Sequence, residues 1–93
     1  MTFMPDVPAP LPDPLRLGAA LRDARAARGW TQQQLADAAG VSRAFVIDLE
    51  RGRRPGAELA RVMSVACALG FALALVATQD DFEQQLRDLL GKP

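Results

Sequence analysis

Between residues 15 and 61 the chain carries nine arginines against five acidic residues, and these are the side chains whose chemistry stands out. Arginine presents a fixed planar fork that fits phosphate oxygens and the O6/N7 edge of guanine. The same arginines would serve equally as a solvated surface, and composition does not separate the two readings. The remaining repertoire is narrow. There is no His, no Tyr and a single Cys, Cys67. That excludes a His-based catalytic triad, a His or multi-Cys metal site and an internal disulfide. No phosphate-cradling glycine loop and no paired-carboxylate pocket is visible either, so the chain reads as non-enzymatic and free of cofactors and metals.

The elements that must position the arginines belong to a small chain. Ninety-three residues and 10.0 kDa make one domain. A chain of this size buries only about 60% of the surface that its unfolded form exposes, so oligomerisation would help it. Eleven basic and eleven acidic residues cancel, which excludes a polybasic protein that holds nucleic acid by bulk charge. The cancellation hides a basic middle between acidic ends: residues 62–93 set Arg87 and Lys92 against Asp80, Asp81, Glu83 and Asp88. The longest apolar stretch, 62–77, is broken by Ser64 and Gly70 and is too short to span a bilayer. The first residues show neither a basic segment nor an apolar one of signal-peptide type. The expected setting is soluble and cytoplasmic, with no membrane partner.

Residues 1–14 contain five prolines and read as an extended or disordered arm. Helix punctuation then becomes dense. Leu17, Leu21, Ala24 and Arg28 recur at helical spacing, and Gly29 stops that helix. Thr31 and Gln34 have the spacing of a capping box ahead of Leu35, Ala36 and Ala39, and Gly40 ends this second helix after two turns. Ser42 caps a third helix to about Arg51, anchored by Val46 and Leu49 with Val41 just ahead of the cap. A loop of Arg53, Arg54, Pro55 and Gly56 leads to a fourth helix from about 57 to 69, apolar at Leu59, Val62, Met63, Val65, Ala66 and Leu69. Trp30 and Cys67 read as core. In 71–77, Phe71, Leu73 and Leu75 alternate with the smaller Ala72, Ala74 and Val76, the pattern of a short strand. A lone strand needs a partner, and the same strand of a second copy is the simplest one. Residues 78–93 form an acidic amphipathic tail with Phe82, Leu86, Leu89 and Leu90 on one face.

Two short helices joined by Ala39-Gly40-Val41, with a capped third behind the turn, meet the physical requirements of a helix-turn-helix. The third helix then offers Arg43, Ala44, Ile47 and Asp48 outward. Thr31-Gln32-x-x-Leu35-Ala36, Gly40-Val41-Ser42 and Leu49-Glu50-x-Gly52, at these spacings, resemble the lambda-repressor-like (Cro/CI, XRE) DNA-binding domains over roughly residues 15–69. The continuation Glu50-Arg51-Gly52-Arg53-Arg54-Pro55-Gly56, and then Ala68-Leu69-Gly70-Phe71-Ala72-Leu73, resembles HipB-type antitoxins in particular. The resemblance implies a mainly α fold: a helix-turn-helix bundle of four helices plus a short C-terminal strand that pairs across a dimer. The arm and the acidic tail have no counterpart in it.

By that resemblance Arg43 and Ala44 read base edges, and Asp48 and Ile47 share the reading surface. Asp48 would have to accept from cytosine N4 or brace an arginine, because a carboxylate near phosphates is otherwise repelled. Ser42 caps the helix and meets phosphate, Thr31 and Gln32 start the helix that crosses the backbone, and Arg53 and Arg54 follow as phosphate contacts. Arg25 and Glu50 match a buried structural salt bridge. Phe45 packs at the rim of the core or else joins Ile47 in an apolar patch. The implied function is a homodimeric repressor on an inverted-repeat operator in double-stranded DNA, and further an autoregulating antitoxin that restrains a HipA-like kinase toxin. The alternatives are a free-standing XRE-type regulator and a protein-interaction module that has lost DNA binding.

Overall fold

The computed structural model describes Leu11, residues 13–75 and Leu90. Four helices follow in order: α1 (Pro14–Ala27), α2 (Gln32–Ala39), α3 (Arg43–Glu50) and α4 (Leu59–Ala68). The first begins inside the stretch expected as an arm. Asp13 caps it by accepting the Arg16 N–H at 2.8 Å, and Pro14 occupies a first-turn position where the missing N–H is no loss. Residues 1–10 and 12 of the arm lie outside the described residues.

The two middle helices end and begin on local devices. Thr31 Oγ1 accepts the Gln34 N–H at 3.0 Å, and Gln34 Oε1 accepts the Thr31 N–H at 2.8 Å, completing the capping box. Gly40 adopts a left-handed φ of 71°, and the Val41 N–H bonds back to the Ala36 carbonyl at 3.0 Å. That turn is closed to most side chains and swings α3 across α2. Ser42 Oγ then accepts the Phe45 N–H at 3.0 Å. The fourth helix starts two residues later than its apolar run suggests, because Ala57 is held in a turn by its N–H bond to the Arg54 carbonyl.

Leu11–Leu73 form one unit around Leu21, Leu35, Ala36, Phe45, Val46, Leu49, Val62, Val65, Ala66 and Leu69. The second helix packs on both α3 and α4, while α1 packs on α3. Gly18 permits the last of these contacts. A Cβ there would stand 2.7 Å from the Glu50 carbonyl oxygen and still nearer to that of Leu49. Both obstacles are backbone and cannot rotate away. Gly18→Ala is therefore expected to destabilise by about 1–3 kcal/mol or more, despite alanine's better helix propensity, as a denaturant melt would show.

Two expectations change on packing. Phe45 is not at the rim: it is 1% exposed and among the largest fully buried side chains. Cys67 is exposed rather than core, and Leu59 and Met63 are exposed beside it on the outer side of α4. An apolar helix of ten residues has more faces than one small core can cover. Trp30 and Val41 pack against the core while partly exposed. Phe71–Leu75 are neither helix nor paired strand among the described residues, and Phe71 and Leu75 are exposed. Val76 and the tail, apart from exposed Leu90, lie outside the described residues.

Candidate nucleic-acid interface

The outward side of α3 follows from what its inner side buries. Phe45, Val46, Leu49 and Glu50 face inward. Arg43 and Ala44 are exposed, and Ile47 and Asp48 are half-buried at the edge of the outer face. Helical spacing adds a residue that the sequence reading passed over. Arg51 lies seven positions after Ala44, hence two turns along the same face, and it is exposed. Its signal was present in Leu49-Glu50-Arg51-Gly52, but only the flanking residues of that motif were given roles.

A buried ion pair fixes this helix against its neighbours. Arg25 Nε and Nη2 meet Glu50 Oε2 and Oε1 at 2.6 and 3.1 Å, a bidentate arrangement in which the Glu50 side chain is 3% exposed. The remaining arginine nitrogen, Nη1, donates to the Trp30 carbonyl at 2.7 Å. Gln32 Nε2 donates to the same Glu50 Oε1 at 3.1 Å. One carboxylate thus ties the end of α3 to α1 and to the first residue of α2. Among the described residues no buried side-chain polar atom lacks a hydrogen-bond partner. The expected Arg25–Glu50 pairing is present, and it also orients Gln32, which Thr31 and its capping box place at the helix start.

The nine arginines divide by whether an acid neutralises them. Arg16, Arg22, Arg25, Arg54 and Arg61 lie within 3.8 Å of Asp13, Asp23, Glu50, Asp48 and Glu58 respectively. Among the described residues Arg28, Arg43, Arg51 and Arg53 have no such partner. Arg28 instead lies over the Trp30 ring at 5.1 Å. The other three sit at the start of α3, at its end and in the loop beyond it. Three of the four arginines without an acidic partner among the described residues therefore belong to α3 and the loop that follows it, which composition alone could not reveal. Arg54 stands apart from its neighbour Arg53: its Nε is 3.6 Å from Asp48, and its guanidinium is 5.3 Å from the centre of the Phe45 ring.

This arrangement can place a short capped helix, with an arginine that no acid neutralises among the described residues at each end, against a polyanion. The Ser42 and Thr31 hydroxyls are already engaged as caps, so any further contact they make adds to a structural role.

Comparisons with known proteins agree with the geometry. Residues 21–73 match the HTH_3 helix-turn-helix family. The chain is 36% identical over 64 residues to the HTH-type transcriptional regulator y4mF of Sinorhizobium fredii, covering 69% of this chain and 83% of that protein. The clp gene regulator ClgR from C. glutamicum superposes with a TM-score of 0.60 at 42% identity, covering 71% of this chain and 85% of that one. The restriction-modification controller protein C.AhdI from Aeromonas hydrophila does so with a TM-score of 0.57 at 35% identity, covering 61% and 85%. With its capped second and third helices, its left-handed turn at Gly40 and a match over more than half its length, the chain belongs to the XRE-type helix-turn-helix (HTH_3) family of transcriptional regulators.

Proposed function

We propose that the protein is a dimeric, sequence-specific repressor that reads an inverted-repeat operator through α3. The observation that carries this reading is the placement of Arg43, Arg51 and Arg53, three arginines without acidic partners among the described residues, on and just after a capped, outward-facing helix. Arg43 reads a guanine edge, with Ala44 and Ile47 lining the groove beside it. Arg51, Arg53, Ser42, Thr31 and Gln32 contact phosphates and set the register. Two such helices would enter successive major grooves about 34 Å apart. The dimer is closed by pairing of segment 71–77 across two copies. The exposed Phe71 and Leu75, with Leu59 and Met63 on α4, support a second copy as the cover. The neutral total charge supports site selection over bulk attraction, and the protein acts in the cytoplasm.

The antitoxin reading has a narrower basis, the resemblance of 50–56 and 68–73 to HipB-type proteins. The relatives above are named for transcriptional regulation and restriction-modification control, which favours a free-standing regulator. A kinase-like gene beside this one, and co-purification of its product, would reverse that preference. An interaction module without DNA binding has little support, because it gives no purpose to three arginines that stand without acidic partners among the described residues.

Titration of the DNA upstream of the protein's own gene, at two salt concentrations and with non-specific competitor, tests the proposal. Specific binding that saturates at two protomers per site is the expected result; binding abolished by competitor would refute it. In the same assay Arg43→Ala should lose about 1–3 kcal/mol of discrimination at one base pair. Arg51→Ala should instead weaken all sequences alike and lower the salt slope by about one.

A further inference from the structure

One acidic side chain stands on the outward face of α3 among these arginines. Asp48 lies one turn after Ala44 with its side chain 36% exposed. Near phosphates a bare carboxylate would be repelled, but this one is accompanied. Arg54 Nε stands 3.6 Å from Asp48 Oδ2, and the Arg54 guanidinium rests over the Phe45 ring. That ring is itself buried in the core, and a second guanidinium, that of Arg61, lies 6.0 Å from its centre and is paired to Glu58 at 2.9 Å. Arg54 is therefore seated rather than free. At 3.6 Å its attraction to Asp48 is Coulombic and not a hydrogen bond, so both carboxylate oxygens keep lone pairs for another donor.

We infer that Asp48 is a specificity-determining residue that selects cytosine, and that Arg54 is its positioning residue rather than a phosphate contact. The inference rests on the DNA-reading proposal above. An ionised carboxylate only accepts hydrogen bonds. In the major groove guanine presents two acceptors, thymine an acceptor and a methyl group, and adenine an acceptor beside its amine. Cytosine alone presents a donor amine with no acceptor of its own. Arg54 offsets the charge of Asp48 and so lets the carboxylate approach the bases past the phosphates.

The test is enrichment of random duplexes by the full-length protein and by Asp48→Ala, Asp48→Asn and Arg54→Ala, with thermal melts as folding controls. The wild type should enrich a motif containing a cytosine that Asp48→Ala renders indifferent, a loss of about tenfold in preference at that position alone. Asp48→Asn, nearly isosteric, should turn the same position towards adenine, whose N6 and N7 match an amide. Arg54→Ala should weaken the cytosine preference while leaving the rest of the motif intact. Cytosine preference surviving in both Asp48 variants would overturn the inference while leaving DNA reading in place. A uniform loss with a shallower salt slope in Arg54→Ala would overturn the positioning role and make that residue a phosphate contact. A wild type that enriches no motif would overturn the DNA-reading proposal and this inference together.

Discussion

Arg25→Ala is expected to destabilise the fold by about 3–5 kcal/mol, because it strands a carboxylate rather than merely deleting an attraction. Glu50 is 3% exposed at its side chain and accepts from two arginine nitrogens and from Gln32. Without Arg25 it keeps the Gln32 amide alone, and the Trp30 carbonyl loses its donor as well. In a domain of this size the loss should lower the melting temperature by roughly 12 °C or more. The double variant Arg25→Ala/Glu50→Ala should be destabilised by less than the sum of the single changes, since the second removes the charge that the first exposes as unpaired. A single variant melting within a few degrees of the parent would contradict the buried-pair account. The functional consequence is indirect: Glu50 ties the end of α3 to the starts and ends of its neighbours, so the loss should also blur DNA discrimination at temperatures where the variant is still folded.

Phe45→Ala should cost a similar amount, about 3–5 kcal/mol, by leaving a cavity at a fully buried position of the core. The residue is 1% exposed and belongs to the same buried cluster as Leu35, Val46, Leu49 and Val65. Phe45→Leu separates two roles that alanine merges. Leucine restores most of the volume and should cost under about 1.5 kcal/mol. It nevertheless removes the flat surface on which the Arg54 and Arg61 guanidinium groups rest. The leucine variant should therefore fold nearly as well as the parent while losing preference at the base pair opposite Asp48. Melting and binding measured on the same preparation would show whether stability and discrimination part in this way. Equal preference in parent and Phe45→Leu would mean that the ring serves packing alone.

The legible parts of this protein are those encoded over three or four neighbouring residues. The capping box at Thr31 and Gln34, the left-handed turn at Gly40 and the cap at Ser42 each close their own hydrogen bonds, so residue type and spacing suffice. The Arg25–Glu50 pair was legible for a different reason, through resemblance to a family pattern rather than through spacing. The helical face of α3 was harder. Apolar residues at 44–47 and 49 leave its eight-residue periodicity ambiguous, and Phe45 fell on the wrong side of the expected core as a result. The α4 helix failed in the opposite direction, since Leu59, Met63 and Cys67 have the character of core residues but are exposed.

The amino-acid sequence by itself determined the four helices, their stops, the helix-turn-helix geometry and the basic character of the middle segment. It determined them because caps, glycine turns and charge are properties of a residue and its near neighbours. Only the tertiary structure decided which arginines stand beside acids and which, among the described residues, do not. Arg53 and Arg54 are adjacent, chemically identical and both exposed, yet Arg53 has no acidic partner among the described residues while Arg54 lies beside Asp48 and over the Phe45 ring. That difference depends on partners brought together by the packing of α3 and the loop behind it, and Coulomb and cation–π energies follow distance in space rather than separation along the chain.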